Sequence, residues 1–207
     1  MAARITFLTI AFLTVFLAQC QVAPPSNDAS APLNSERITQ RYGNCRVEIL
    51  SQTDTVRVSH LDSTKDGVTT TRTYAVVRFI DPGDLPSTVT PLHEQILAGA
   101  SLGATLKDGG WTVTKRRHRF GEYELTGNNE VDASLAKLMR LTPPTHLATH
   151  TYQLDITDGK VVIPYATLTE THHPDYLSPG DLRRIYPQPI YDRMLSPMPP
   201  RFRPPLH

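Results

Sequence analysis

The stretch LATHTYQLDITDGKVVIPYATLTET, residues 147–171, decides the fold. Two runs rich in threonine, valine, isoleucine and tyrosine, 147–157 and 160–171, flank Asp158-Gly159. An Asp-Gly pair supplies the positive-φ positions that a tight β-turn demands, so the stretch reads as an antiparallel hairpin. Upstream, Asn129 is placed to cap a short helix carrying Val131, Leu135, Leu138 and Met139, which Pro143-Pro144 would stop. Trp111 to Phe120 reads as a strand before it. A longer helix precedes that strand. Thr90 caps it, Pro91 holds its first position, and Leu92, Ile96, Leu97, Leu102 and Leu106 line it as far as Asp108-Gly109-Gly110. Asp81-Pro82-Gly83-Asp84 ends Tyr74–Ile80 (YAVVRFI), whose only charge is Arg78, as expected of a central strand. Val47 and Ile49, then Val56, Val58 and His60, alternate with polar residues and give two more strands. Asp66-Gly67 marks a turn, and Ser35 is placed to cap a short helix through Tyr42.

The expected fold is therefore α+β. A mainly antiparallel sheet of about six strands, in the order β-β-β-α-β-α-β-β, carries two helices on one face. The expected parts are a leader (1–19), a cysteine and tether (20–35), one globular body (36–173) and an extended tail (174–207). The tether QVAPPSNDASAPLNS, residues 21–35, has three prolines and little apolar bulk, a composition that stays extended and mobile. Nine prolines and five arginines among residues 174–207 favour an extended tail that is either disordered or laid along another surface. Tyr186, Tyr191, Met194 and Phe202 would be its anchors.

The 207 residues carry 21 Lys plus Arg against 20 Asp plus Glu. Loss of a leader removes only Arg4, so a mature chain would be balanced, which argues against nucleic acid as a partner. Ile5 to Ala18 holds no charge, 11 apolar residues and three threonines. Fourteen residues are too few to cross about 30 Å of hydrocarbon comfortably as a helix, and the run matches the apolar core of a secretory signal. It ends at Leu17-Ala18-Gln19-Cys20, which resembles the lipobox of bacterial lipoproteins, with Gln19 standing where that family usually has a smaller residue. The resemblance implies cleavage before Cys20 and lipidation of its thiol, and hence a membrane anchor. Gln21 in place of Asp after the cysteine implies the outer rather than the inner membrane. With Cys20 acylated, Cys45 has no disulfide partner and is expected to pack as a small apolar residue.

Three motifs invite chemistry. Gly99-Ala100-Ser101-Leu102-Gly103 spells G-x-S-x-G, the nucleophile elbow of α/β-hydrolases, which requires a strand directly before the serine. Here Ser101 is expected inside the longer helix, where Gly99 and Gly103, four apart, permit close backbone approach; His93 is the base that a hydrolase reading would need. Lys115-Arg116-Arg117-His118-Arg119 is the densest basic run. On a regular strand Lys115, Arg117 and Arg119 would share one face and Arg116 and His118 the other; Lys115, Arg116, Arg117 and Arg119 are the candidates for an anionic partner, or the run is paired with acids such as Glu48, Glu122 or Glu124. Among the histidines, His146 and His150 would lie about 13–14 Å apart on a strand, too far to share an ion. His172 and His173, at the strand-to-tail junction, are the remaining metal candidates. No cofactor motif is present.

The resulting expectation is a non-catalytic, lipid-anchored cell-envelope protein on the periplasmic side. Its body would bind, and its C-terminal tail would meet an envelope protein. The alternatives are a small periplasmic serine hydrolase using Ser101 and a metal-binding envelope protein using His172, His173 and either His146 or His150.

Overall fold

The structure, a computed structural model, describes residues 32–186. The leader, Cys20, most of the tether and the tail beyond Tyr186, with Tyr191, Met194 and Phe202, lie outside the described residues. The elements are α1 (Asn34–Tyr42), β1 (Arg46–Gln52), β2 (Val56–Lys65), β3 (Val68–Phe79), a 3-10 turn at Pro82–Asp84, α2 (Thr90–Leu97), α3 (Leu102–Asp108), β4 (Thr112–Leu125), α4 (Glu130–Met139), β5 (Thr145–Thr157), β6 (Val162–His172) and α5 (Pro179–Ile185). The six strands form one antiparallel sheet in the order β1-β2-β3-β6-β5-β4. Two meanders, β1-β2-β3 and β4-β5-β6, thus lie side by side, joined along β3 and β6. The connection from β3 to β4 must travel to the far edge, and α2 and α3 are built into it.

An α+β fold on a six-stranded antiparallel sheet agrees with the sequence reading. The helices differ from it. Five α-helices stand among the described residues instead of two: the short helix read through Tyr42, which the expected order left out, is α1, α5 is added at the other end, and the longer helix is split. That helix breaks between Leu97 and Leu102, with Gly99 at φ +108°. The cause is tertiary. The Arg57 guanidinium, buried on β2, donates to the carbonyls of Ile96 and Ala100, and the Gln52 amide donates to that of Leu97. These side chains satisfy the carbonyls that a continuing helix would have used. Of the two glycines, Gly103 is the one at a close approach: a Cβ there would collide with the Leu33 side chain.

The helices also do not share one face. Val77 joins Phe79, Leu154 and Ile156 beneath α2 and α3, whereas its neighbour Val76 packs with Tyr74, Leu125 and Leu147 against Leu135 and Met139 of α4. Successive strand residues point to opposite faces, so α4 covers one side and α1, α2, α3 and α5 the other. We call the latter the inner face. Both expected ends of the body fall inside the packed structure. Asn34 is buried ahead of residue 36, and Tyr176, Leu177, Leu182 and Tyr186 are buried beyond residue 173, against Ile38, Leu61, Ala75 and Ala148.

Local signals hold where the chemistry is local. The Asn129 side chain accepts from the Asp132 amide at 2.9 Å and starts α4. Asp158 accepts from the amides of Lys160 and Val161. The hairpin loop is four residues long, however, since Thr157 pairs with Val162.

Candidate functional site

The inner face carries a buried polar cluster where three strands meet. On β5 and β6, His150 sits directly opposite Glu170, and His172 lies two residues further along β6, opposite Thr73 of β3. The relative exposures of His150, Glu170 and His172 are 1%, 4% and 1%. His150 Nδ1 lies 4.0 Å and His172 Nε2 3.8 Å from Glu170 Oε2.

Each group is held from behind. The Tyr152 hydroxyl donates to Glu170 Oε1 at 3.1 Å. His150 Nε2 shares a hydrogen bond of 2.8 Å with His118 Nδ1, and His172 Nδ1 one of 3.0 Å with Thr73 Oγ1. Thr73 in turn accepts from the Asn34 amide, whose oxygen accepts from the Tyr176 hydroxyl at 2.6 Å. Tyr186 closes the cluster. Its ring stacks on His118 at 4.5 Å and meets His150 at 4.7 Å, and its hydroxyl accepts from Lys115 and Arg37, both at 3.3 Å. The Lys115 ammonium also lies 4.6 Å from the centre of the Tyr152 ring.

Burial holds both imidazoles neutral. It pushes His150 well below its ordinary pKa and His172 down to about 3, with Lys115 adding to both shifts and Arg37 to each as well. A histidine that is neutral when folded and free to protonate when unfolded favours unfolding in acid. The contribution of His172 is intact above its ordinary value of 6.5 and is lost as the pH falls from there towards about 3. Metal-free His172→Gln protein should therefore show a flatter melting temperature than the wild type between these limits in a thermal scan. Equal slopes would place the acid sensitivity elsewhere.

Beside the cluster, a cleft of about 90 Å³ opens between the inner face and the starts of α1 and α3, with Leu33, Asn34, Arg57, Ser101, Tyr152 and Glu170 among its walls.

The residues singled out from sequence fall in different places. Ser101 is exposed and begins the short α3 after a helix, not after a strand. His93 is buried, with Nδ1 given to the Tyr165 hydroxyl at 2.8 Å. The basic run does not alternate as a regular strand. A bulge between Arg116 and Arg119, with Arg117 at φ +53°, adds one residue and turns both Lys115 and His118 inward. Lys115 is thus withdrawn from any surface partner. Arg116 meets Asp155 at 2.8 Å, Arg117 donates to Gln153, and Arg117 and Arg119 are the exposed members. Glu48 serves Arg46 rather than this run, at 2.8 Å. His172 does belong to a cluster, but not with its neighbour His173, which faces the other side of the sheet and Asp175 at 3.8 Å. His146 is exposed. Cys45 is half-buried, and burial, with Asp62 nearby, raises its thiol to about 11, so it is an inert packing group.

Glu170 and Tyr152 were not legible as site residues because the hairpin register hid them, and Thr73 and Asn34 because they come from β3 and the start of α1. A two-residue turn at Asp158-Gly159 would set Thr157 opposite Lys160 and hence His150 opposite Thr167. The four-residue loop and a bulge at Leu154/Asp155 shift the pairing by three and bring His150 to Glu170. Compared with known proteins, the chain matches no family model and no curated protein.

Proposed function

We propose that the chain is an exported bacterial lipoprotein, held by lipid on Cys20 at the periplasmic side of the outer membrane, whose body acts by binding rather than by turnover. The observation that carries the reading is the uncharged run Ile5–Ala18 ending in Leu17-Ala18-Gln19-Cys20. Several acyl chains on Cys20 would hold firmly, because each buried CH₂ contributes about 0.8 kcal/mol. The body supports binding through its inner face. Lys115, His150, Glu170 and His172 are all buried there. Burying ionisable groups costs several kcal/mol unless they are well paired, an arrangement hard to explain by stability alone. A hydrolase reading finds less support, since Ser101 is exposed and lacks the strand-to-helix elbow, while His93 is buried and held through Nδ1 by Tyr165. The segment from Pro187 to His207, with seven prolines, is suited to reach an envelope protein partner.

Replacing Cys20 with Ala is expected to move the protein from the membrane to the soluble fraction of lysed cells. A variant that stays in the membrane as before would remove the lipid as the anchor. A fluorophosphonate probe is expected to leave Ser101 unlabelled; stoichiometric labelling would move the reading to the hydrolase. Crosslinking in cells followed by pull-down then identifies what the anchored protein touches.

A further inference from the structure

We propose that His150 Nδ1, Glu170 Oε2 and His172 Nε2 form a binding site for one divalent first-row transition ion of the zinc class. In each of the three side chains one polar atom is tied by a neighbour: His150 Nε2 by His118, Glu170 Oε1 by Tyr152 and His172 Nδ1 by Thr73. The remaining atoms all lie within 4.8 Å of one another. His172 Nε2 is fully buried and makes no hydrogen bond, although it points at the carboxylate. A buried imidazole nitrogen without a partner is a net cost to the fold, and a shared ion removes that loss.

The two nitrogen–oxygen distances lie near those between ligands of one ion, and the two nitrogens are within 4.8 Å of each other. Ligands about 2.0–2.1 Å from zinc at tetrahedral angles stand roughly 3.3 Å apart. The two nitrogen–oxygen separations, 3.8 and 4.0 Å, need to close by about half an ångström or slightly more. Two histidines and one glutamate make a donor set that suits such ions and leaves a coordination position open. The tying partners are compatible with the tautomers that an ion needs. An ion requires that His150 donate through Nε2–H to His118, leaving Nδ1 free, and that His172 donate through Nδ1–H to Thr73, leaving Nε2 free, and both partners can accept. Outer-shell bonds of this kind orient metal ligands generally. The neighbouring cation is satisfied elsewhere: Lys115 turns to the Tyr186 hydroxyl and the Tyr152 ring. The inference does not depend on the lipid anchor.

The test uses full-length protein purified in detergent without an affinity tag, stripped with chelator and titrated with Co²⁺ alone, then with Zn²⁺ alone. One Co²⁺ per chain is expected, with visible absorption bands of a nitrogen- and oxygen-ligated low-coordinate ion that Zn²⁺ abolishes. His172→Ala and Glu170→Gln should each weaken binding at least tenfold, and Thr73→Val, which removes only the orienting bond, about tenfold. His173→Ala and His60→Ala should bind as the wild type does; His60 tests the rival group Glu48, His60 and Asp62, whose ligand atoms also lie within 4.8 Å of one another. If His172→Ala does not fold, Glu170→Gln, which keeps the shape of the side chain, carries the test alone. Absence of stoichiometric binding, binding unchanged in Glu170→Gln, or binding lost in His60→Ala would each overturn the proposal.

Discussion

A chain cut after His173 is expected to lose its cooperative fold, and Tyr186→Ala in the full chain to lose about 3–5 kcal/mol of stability. Residues beyond His173 supply Tyr176, Leu177, Leu182 and Tyr186 to the inner face, all at least 96% buried. Truncating Tyr186 leaves a cavity against His118, Phe120 and His150. It also removes the oxygen to which Lys115 and Arg37 donate. A buried ammonium deprived of its oxygen costs more than the lost packing alone. In a domain of this size the change amounts to a fall in melting temperature of roughly 10 °C or more. Tyr186→Phe separates the two contributions, because it keeps the ring stack and loses only the hydroxyl; about 1–2 kcal/mol is expected there. A Tyr186→Ala variant that melts with the wild type would show that the C-terminal segment does not dock on the body.

Asp132→Ala is expected to destabilise by about 3–5 kcal/mol in urea unfolding, with little change in the slope of the transition. Asp132 is buried at the first turn of α4 and organises the loop before it. Its carboxylate accepts from the Tyr123 hydroxyl at 2.5 Å, the Thr126 hydroxyl at 2.6 Å, the Thr126 amide at 2.7 Å and the Gly127 amide at 2.8 Å. Alanine strands these donors and also removes a negative charge from the helix N-terminus. Burial alone would raise the pKa of this carboxyl, but the bonds from Thr126, Tyr123 and Gly127 outweigh it and hold the group at about 2. A carboxylate depressed in the folded state stabilises at neutral pH and loses that contribution in acid. For Asp132 the loss falls between its ordinary 3.8 and about 2, a range that begins at the lower end of the one in which His172 acts and extends below it. The acid limb of the wild type should thus have two successive parts, and Asp132→Ala should lack the lower one. A cost under about 1 kcal/mol would mean that water replaces the carboxylate at these donors.

The site was partly visible before the fold was known. His150 and His172 stood out as histidines, but spacing along one chain cannot show what stands across a strand pair. Their common neighbour Glu170 depends on a loop of four residues where Asp158-Gly159 suggested two, and on the bulge at Leu154/Asp155. The basic run shows the same limit. Alternation assigns Lys115 and His118 to opposite faces, and the extra residue at Arg117 puts them on one. The joint between α2 and α3 was hidden because the groups that end α2, Arg57 and Gln52, come from strands forty residues earlier.

What the sequence determined by itself was local. It contains the turns at Asp66-Gly67 and Asp158-Gly159, the Asn129 cap, the strand runs, and the uncharged run Ile5–Ala18 ahead of Cys20. Each of these rests on the conformational preference or solvation of a few adjacent residues, which no distant contact needs to supply. Only the tertiary structure decided the pairing of β3 with β6, the place of α4 on the face opposite the other helices, the docking of residues 174–186, and the meeting of His150, Glu170 and His172. Those depend on register and on bulges, where one added residue reverses which face a side chain meets.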